Sequence, residues 1–395
     1  MLLELFLFLL AGIICGVFFG LIPGLHPNTI VLFVPFFLAL NISPIYLITF
    51  IVALGITNSI VDTIPSILLG APDSGNELSV LPGHKMLLRG NGYDAIKLTV
   101  VGSFYSIAIV FLLFPLFVIF LPPLFSVSKP FIYLLLIGIV AIMILTEKGN
   151  KRMIAALLFL MSAAIGMIAD KIPTNGVLLL FPIFAGFFGL SQLLLGIKNK
   201  IKVPKQKMSE FDVSRKTITK SSFFGTLAGS ASGFLPGVGT SEIASLAAID
   251  KNDKSFLITL GAITTANTIL SILSLWLIER SRSGLAVAID QLFNIGFNEI
   301  ILILFVVLVA GGISVTLTLI LAKKTVKIIE KIDYTCISIV VCICLIALTV
   351  IFTGFYGVLL LVTCTALGIF TNLIGVKRSV LMGVLILPTI FFYMV

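Results

Sequence analysis

Apolar runs long enough to cross a bilayer follow one another along the whole chain, separated by short polar, basic stretches. The pattern predicts crossings near Pro44–Val61, Leu98–Leu121, Pro130–Thr146, Met153–Ala169, Gly176–Gly196, Phe256–Ile278, Glu299–Ala322, Thr335–Phe352, Phe355–Ile374 and Ser379–Val395. Two further apolar segments, Leu2–Leu40 and Ser222–Ile249, are interrupted by prolines, glycines and polar residues. An all-α polytopic membrane protein follows. The short alternating segments of a β-barrel are absent.

Composition strengthens this picture. Hydrophobic residues make up 59% of the chain and charged residues 11%, with a mean hydropathy of +1.22. Soluble domains carry about 25% charge. The start, "MLLELFLFLLAGIICG", lacks the positive charge of a signal peptide and its pattern recurs later, so it is read as structure. The five cysteines lie inside apolar segments, without metal-ligand spacing. No Walker loop, HExxH spacing or nucleophile elbow is present, so an enzyme is not expected.

The net charge of +9 comes from basic residues clustered in short loops, which indicates a cytoplasmic-side bias and no nucleic-acid partner. The stretch Ile197–Lys220 carries eight lysines and arginines against Glu210 and Asp212, and is expected in the cytoplasm. Counting crossings puts "EKGNKR" (Glu147–Arg152), the loop of His84, Lys85, Arg89 and Lys97, and the lysines at 251, 254, 323, 324, 327, 331 and 377 on that same side. Arg280 and Arg282 are exceptions. The count closes only if each interrupted segment enters and leaves on one side. Each half is then a broken hairpin followed by about five crossings, and the second half is inverted. Both termini are expected outside. The boundaries are residues 1–196 for the first repeat, 197–221 for the basic linker and 222–395 for the second repeat.

An internal match supports the repeat. "AGIICGVFFGLIPGLHPNTIVL" (Ala11–Leu32) aligns with "AGSASGFLPGVGTSEIASL" (Ala228–Leu246) through a shared Gly-x-x-Pro-Gly. About thirty residues beyond each, "ITNSI" (Ile56–Ile60) resembles "TANTI" (Thr265–Ile269), with Asn58 opposite Asn267. Inverted repeats with helices broken at corresponding places are the signature of secondary transporters.

The breaks carry the candidate chemistry. A helix opened inside a bilayer frees backbone groups that need protein, water or a solute as partners. The first break holds Pro23, Gly24, His26, Asn28 and Thr29. A half-helix starting near Asn28 offers free N–H groups and a positive dipole end, suited to an anion. The second break, with Pro236 and Gly237, is followed by Gly239, Thr240, Ser241 and Glu242. Glu242 sets a carboxylate at that positive end, which suits a cation or proton. The expected division gives the first break an anionic substrate. Pro236 and Gly237 of the second break count with the substrate set, while Gly239, Thr240, Ser241 and Glu242, with Asp62, take a coupling Na+ or H+, and no other cofactor is expected. Asn58, Ser59, Asn267 and Thr268 join the substrate set from the crossings after the breaks. Each has a plainer reading: prolines as kinks in packed helices, His26 as a packing histidine, and Asp62 as a helix cap.

"DTIPSILLGAPDSGNELSVLPGHKMLLRGNGYDAIKLTVVGS" (Asp62–Ser103) and the two Gly-x-x-Pro-Gly hairpins resemble the large permease subunit of tripartite tricarboxylate transporters. The resemblance is strongest over residues 11–103 and 225–270. It implies ion-driven carboxylate uptake, working with a small membrane subunit and an extracytoplasmic solute-binding protein. It adds Pro72, Asp73, Ser74 and Gly75 to the substrate candidates. The chain is shorter than the usual permease, and "SLWLIERSRSGLAVAID" (Ser274–Asp290) lacks a loop matching Ala71–Pro72, as in a divergent member.

The expected function is secondary transport of a small organic anion, a carboxylate, across the cell membrane. The alternative is a translocase for polyprenyl-phosphate or another anionic lipid, which needs a lateral opening. Faces rich in Phe, Ile and Leu allow a homodimer without requiring one.

Overall fold

The computed structural model describes residues 2–22, 27, 30, 33–40, 42–69, 80–173, 176–198, 203–207, 213–234, 243–244, 252–281, 283–330 and 334–394. Among these, regular structure is helical. The first half contains α1 (Leu2–Leu21), α2 (Val34–Ala39), α3 (Pro44–Val61), α4 (Thr63–Leu69), α5 (Val80–Leu88), α6 (Gly92–Ser128), α7 (Ile132–Leu145), α8 (Lys151–Ala169), α9 (Gly176–Phe184) and α10 (Ser191–Lys198). The second contains α11 (Arg215–Phe234), α12 (Asp253–Leu277), α13 (Gly284–Leu292), α14 (Phe297–Ile329), α15 (Tyr334–Ile374) and α16 (Gly383–Met394). Eight helical runs of the described residues are long and apolar enough to cross a membrane.

Helix ends follow local chemistry. Pro44 opens α3 at a position whose N–H has no helical partner anyway. The Asn252 side chain accepts the Lys254 N–H at 3.1 Å and caps α12. Glu299 reaches back to the Gly296 N–H at 2.9 Å at the start of α14.

The two crossings expected on either side of 122–129 are joined by helix and a 3₁₀ turn rather than by a loop. Helix α6 runs to Ser128 with Pro115, Pro122 and Pro123 inside it, and a 3₁₀ turn at Lys129–Phe131 leads into α7. At 37 residues, α6 spans about 55 Å, well beyond a hydrocarbon core of about 30 Å. The boundary expected between Phe352 and Phe355 is real. Gly354 breaks α15 there with φ 59° and ψ −149°, a conformation open to glycine.

Helices α3 and α12 form the interior. Most residues of each are buried, whereas only five of the twenty residues of α1 are. Small residues set how closely their neighbours approach. Gly12, Gly16 and Gly20 lay one stripe of α1 on α3. A Cβ on them would meet Ala53 at 2.8 Å, Thr57 at 2.6 Å and Val61 at 2.8 Å respectively. Gly225, Gly229 and Gly233 do the same for α11 on α12, against Ala262 at 2.9 Å, Ala266 at 2.9 Å and Leu270 at 3.0 Å. This is the close small-residue packing that membrane helices favour. The alignment that pairs Gly20 with Gly233 and Asn58 with Asn267 pairs every one of these contacts in register, so the two halves share one packed helix-pair unit.

The halves also exchange partners. Helix α6 lies across α12, with Gly102 over the Ile258 carbonyl and Gly261 over the Thr99 carbonyl. Ser103 Oγ donates to the Gly261 carbonyl (3.1 Å), and Ser106 Oγ to the Ala262 carbonyl (2.9 Å). In return α14 lies on α3, where Thr57 Oγ1 and Ser314 Oγ share a buried hydrogen bond of 2.8 Å. A separate core joins α7, α8, α9, α15 and α16 around Leu136, Phe159, Phe187, Cys364 and Leu381.

The basic loops meet one another. Lys85 and Arg89 approach Asp253 at 3.4 and 3.9 Å. The Gln206 side chain accepts the Gly92 N–H (2.8 Å) and donates to the Leu87 carbonyl (3.0 Å), while its backbone N–H donates to Glu330 (2.7 Å). Glu147 accepts the Lys377 N–H at 2.9 Å, and Lys151 donates to the Gly375 carbonyl at 2.9 Å.

Candidate functional site

The candidate polar residues that fall among the described residues lie on α3, at its C-terminal end, and on α12. On α3, Thr57, Asn58, Ser59 and Asp62 are all buried within little more than one turn. Ser59 Oγ donates to the Ile56 carbonyl at 2.8 Å, an intrahelical bond that ties it locally. Asp62 is 7% exposed and stands at the C-terminus of α3. Its N–H donates to the Asn58 carbonyl (3.0 Å) and its carbonyl accepts the Ser66 N–H (3.1 Å), so α4 follows with hardly a break. Gly20 packs against Val61 and the Asp62 backbone, which sets the end of α1 beside this corner.

On α12, Asn267 and Thr268 are half-buried. Asn267 Oδ1 accepts a hydrogen bond from Ser232 Oγ of α11 at 3.0 Å. Thr268 Oγ1 donates to the Thr264 carbonyl at 3.0 Å. The two halves differ here in one respect. The α1 residue that corresponds to Ser232 is Phe19, which offers Asn58 no such partner.

Asn58, Ser59, Asp62, Asn267 and Thr268 thus sit on the two innermost helices, which pack on each other. Pro23, Gly24, His26, Asn28, Thr29, Pro72, Asp73, Ser74, Gly75, Pro236, Gly237, Gly239, Thr240, Ser241 and Glu242 lie outside the described residues. Their flanks are described: α1 ends at Leu21 and α4 at Leu69, while α11 ends at Phe234. Three residues of this interior, Ser232, Ser314 and Thr265, were not singled out from sequence. Only Thr265 carried a signal, as a hydroxyl where the matching segment has Ile56.

His84 of α5 sits beneath α4, its Nδ1 3.3 Å from the Ile67 carbonyl. Burial pushes its pKa below the ordinary histidine range, and the carbonyl contact acts the other way. Among the described residues, no group of three or more His, Cys, Asp and Glu is placed to hold a metal ion.

Residues 6–383 match the family model described as "Tripartite tricarboxylate transporter TctA family". A protein of Methanocaldococcus jannaschii, itself uncharacterized, is 32% identical over 408 residues, covering 98% of each chain. No solved structure matches the chain. A match across nearly the whole length, on a helical membrane fold with paired glycine-seamed units, identifies the chain as a member of the tripartite tricarboxylate transporter TctA family.

Proposed function

We propose that this chain is a secondary transporter that moves a small carboxylate across the cell membrane, driven by a Na+ or H+ gradient. Transport itself follows from the family, and so does work beside a small membrane subunit and a solute-binding protein. The observation that carries the finer reading is the duplicated helix pair. Each half supplies one glycine-seamed unit, α1 with α3 and α11 with α12, and each seam ends at a Pro/Gly-broken stretch of sequence. We read the halves as inverted, with the linker at 197–221 in the cytoplasm and both termini outside. The mutual contacts of the basic loops support that reading.

In this account the first break, with Asn28, Thr29 and Asn58, takes the anion, and Asp62 and Glu242 serve the coupling ion. Uptake of labelled citrate, succinate and other carboxylates into proteoliposomes tests it, with the solute-binding and small subunits added. Gradient-dependent uptake of at least one carboxylate is expected, with ion dependence abolished by Glu242→Gln. No uptake across the panel, together with scrambling of a labelled polyprenyl-phosphate, would replace it with the lipid translocase.

A further inference from the structure

Hydroxyls inside membrane helices usually satisfy themselves locally. Thr99, Thr226, Thr264, Thr268, Thr318, Thr349, Thr365 and Thr371 each donate to the carbonyl four residues earlier. Thr265 does not. It is fully buried, and among the described residues its Oγ1 has no hydrogen-bond partner. Asn58 is 2% exposed, and its Nδ2 likewise has none.

These two groups share a setting that the other unpartnered hydroxyls, Ser66, Ser222 and Ser338, do not. Thr265 is at the middle of Asp253–Leu277, and Asn58 is near the middle of the continuous run Pro44–Leu69. Those runs are the two innermost helices, one from each half, and they pack on one another. Mid-helix in a spanning segment is mid-bilayer, where transporters hold their substrates. A buried donor left unpaired is unfavourable, and more so where no water is at hand. Both places also depart from their counterparts in the other half: Phe19 stands where the second half has Ser232, and Thr265 stands where the first half has Ile56.

We propose that Thr265 is a substrate-binding residue acting with Asn58, the two donating from opposite halves to a carboxylate oxygen of the transported anion. The inference rests on the carboxylate-carrier reading and deepens it. The asparagine's unpaired atom is a donor, so the ligand must accept, which favours an anion over a cation at this point. A hydroxyl that serves only when substrate is bound should be dispensable for folding.

The test compares Thr265→Val and Thr265→Ser with the wild-type chain. Two readouts are taken: the KM and maximal rate of citrate and succinate uptake, and thermal unfolding in detergent with and without each anion. Valine keeps the shape and removes the hydroxyl. The empty Val variant should unfold at the wild-type temperature or above, while its KM rises about ten-fold or more. The stabilisation that anion confers should shrink with it, and serine should restore both. A Val variant with unchanged KM, in a wild type that transports, overturns the role of Thr265 and leaves the carrier reading intact. A Val variant that unfolds at a lower temperature with unaltered anion stabilisation marks a structural hydroxyl and also overturns it. A wild type with neither uptake nor anion-induced stabilisation overturns both.

Discussion

The crossing of α6 over α12 holds the two halves together, and it is tight enough to predict what one methyl group does. A Cβ at Gly102 would stand 2.0 Å from the Ile258 carbonyl oxygen, and a Cβ at Gly261 would stand 2.0 Å from the Thr99 carbonyl oxygen. Ordinary contact starts at 3.4 Å, so either alanine must part the helices by about 1 Å or more. Overpacking of this kind costs about 1–3 kcal/mol. Stretching the Ser103 and Ser106 bonds to the carbonyls of Gly261 and Ala262 adds about 0.6 kcal/mol each. Alanine's better helix propensity returns about 1 kcal/mol. Gly102→Ala and Gly261→Ala should therefore each destabilise by about 2 kcal/mol. Both methyls open the same seam, so the double variant should fall short of the sum by about 1 kcal/mol. Unfolding of the purified chain in detergent by denaturant titration measures this. Gly312→Ala on α14 is the control, because a Cβ there meets nothing within 4 Å. Wild-type stability in either seam variant, or strict additivity in the double, would refute the packing argument.

Two further outcomes follow from the structure. Gly16→Ala and Gly229→Ala occupy corresponding seam positions, with a Cβ 2.7 Å from the Leu54 carbonyl oxygen and 2.4 Å from the Ile263 carbonyl oxygen. Both should destabilise by about 1–3 kcal/mol in the same titration, and loss at only one would argue against a shared unit. His84 has its folded pKa lowered by burial, so above about pH 6.5 both folded and unfolded chains are neutral there, and below it the unfolded chain binds the proton more readily. Stability should fall as pH drops through about 6.5, and His84→Asn should flatten that slope in melts run from pH 8 downward.

Much of the architecture was legible because a bilayer restricts what an apolar run can do. Pro44 marked the start of a helix, and the Phe352–Phe355 boundary fell on Gly354, whose backbone conformation suits little else. The loop expected at 122–129 was not found, because Pro122 and Pro123 lie within a helix that runs on regardless. Proline removes one N–H, and nearby helices tolerate that in a membrane. The pairing of Asn58 with Asn267 was readable from matching words in the chain. The fate of each amide was not: the Asn267 side-chain oxygen is met by Ser232 of another helix, while Asn58 Nδ2 meets no partner among the described residues. The glycine seams show the same division. Their four-residue spacing lies in plain view, but only the fold says which carbonyl each glycine faces.

The central claim is that both broken stretches face one water-filled substrate path. Its most direct measurement uses single cysteines at Asn28→Cys and Ser241→Cys, in a chain whose five native cysteines are replaced. A membrane-impermeant thiol reagent is applied with and without the carboxylate that the wild type takes up. The account predicts that both cysteines react from the aqueous phase and that saturating substrate slows both. Reaction at unchanged rates with substrate present, or a cysteine reached only by lipid-soluble reagents, would contradict it.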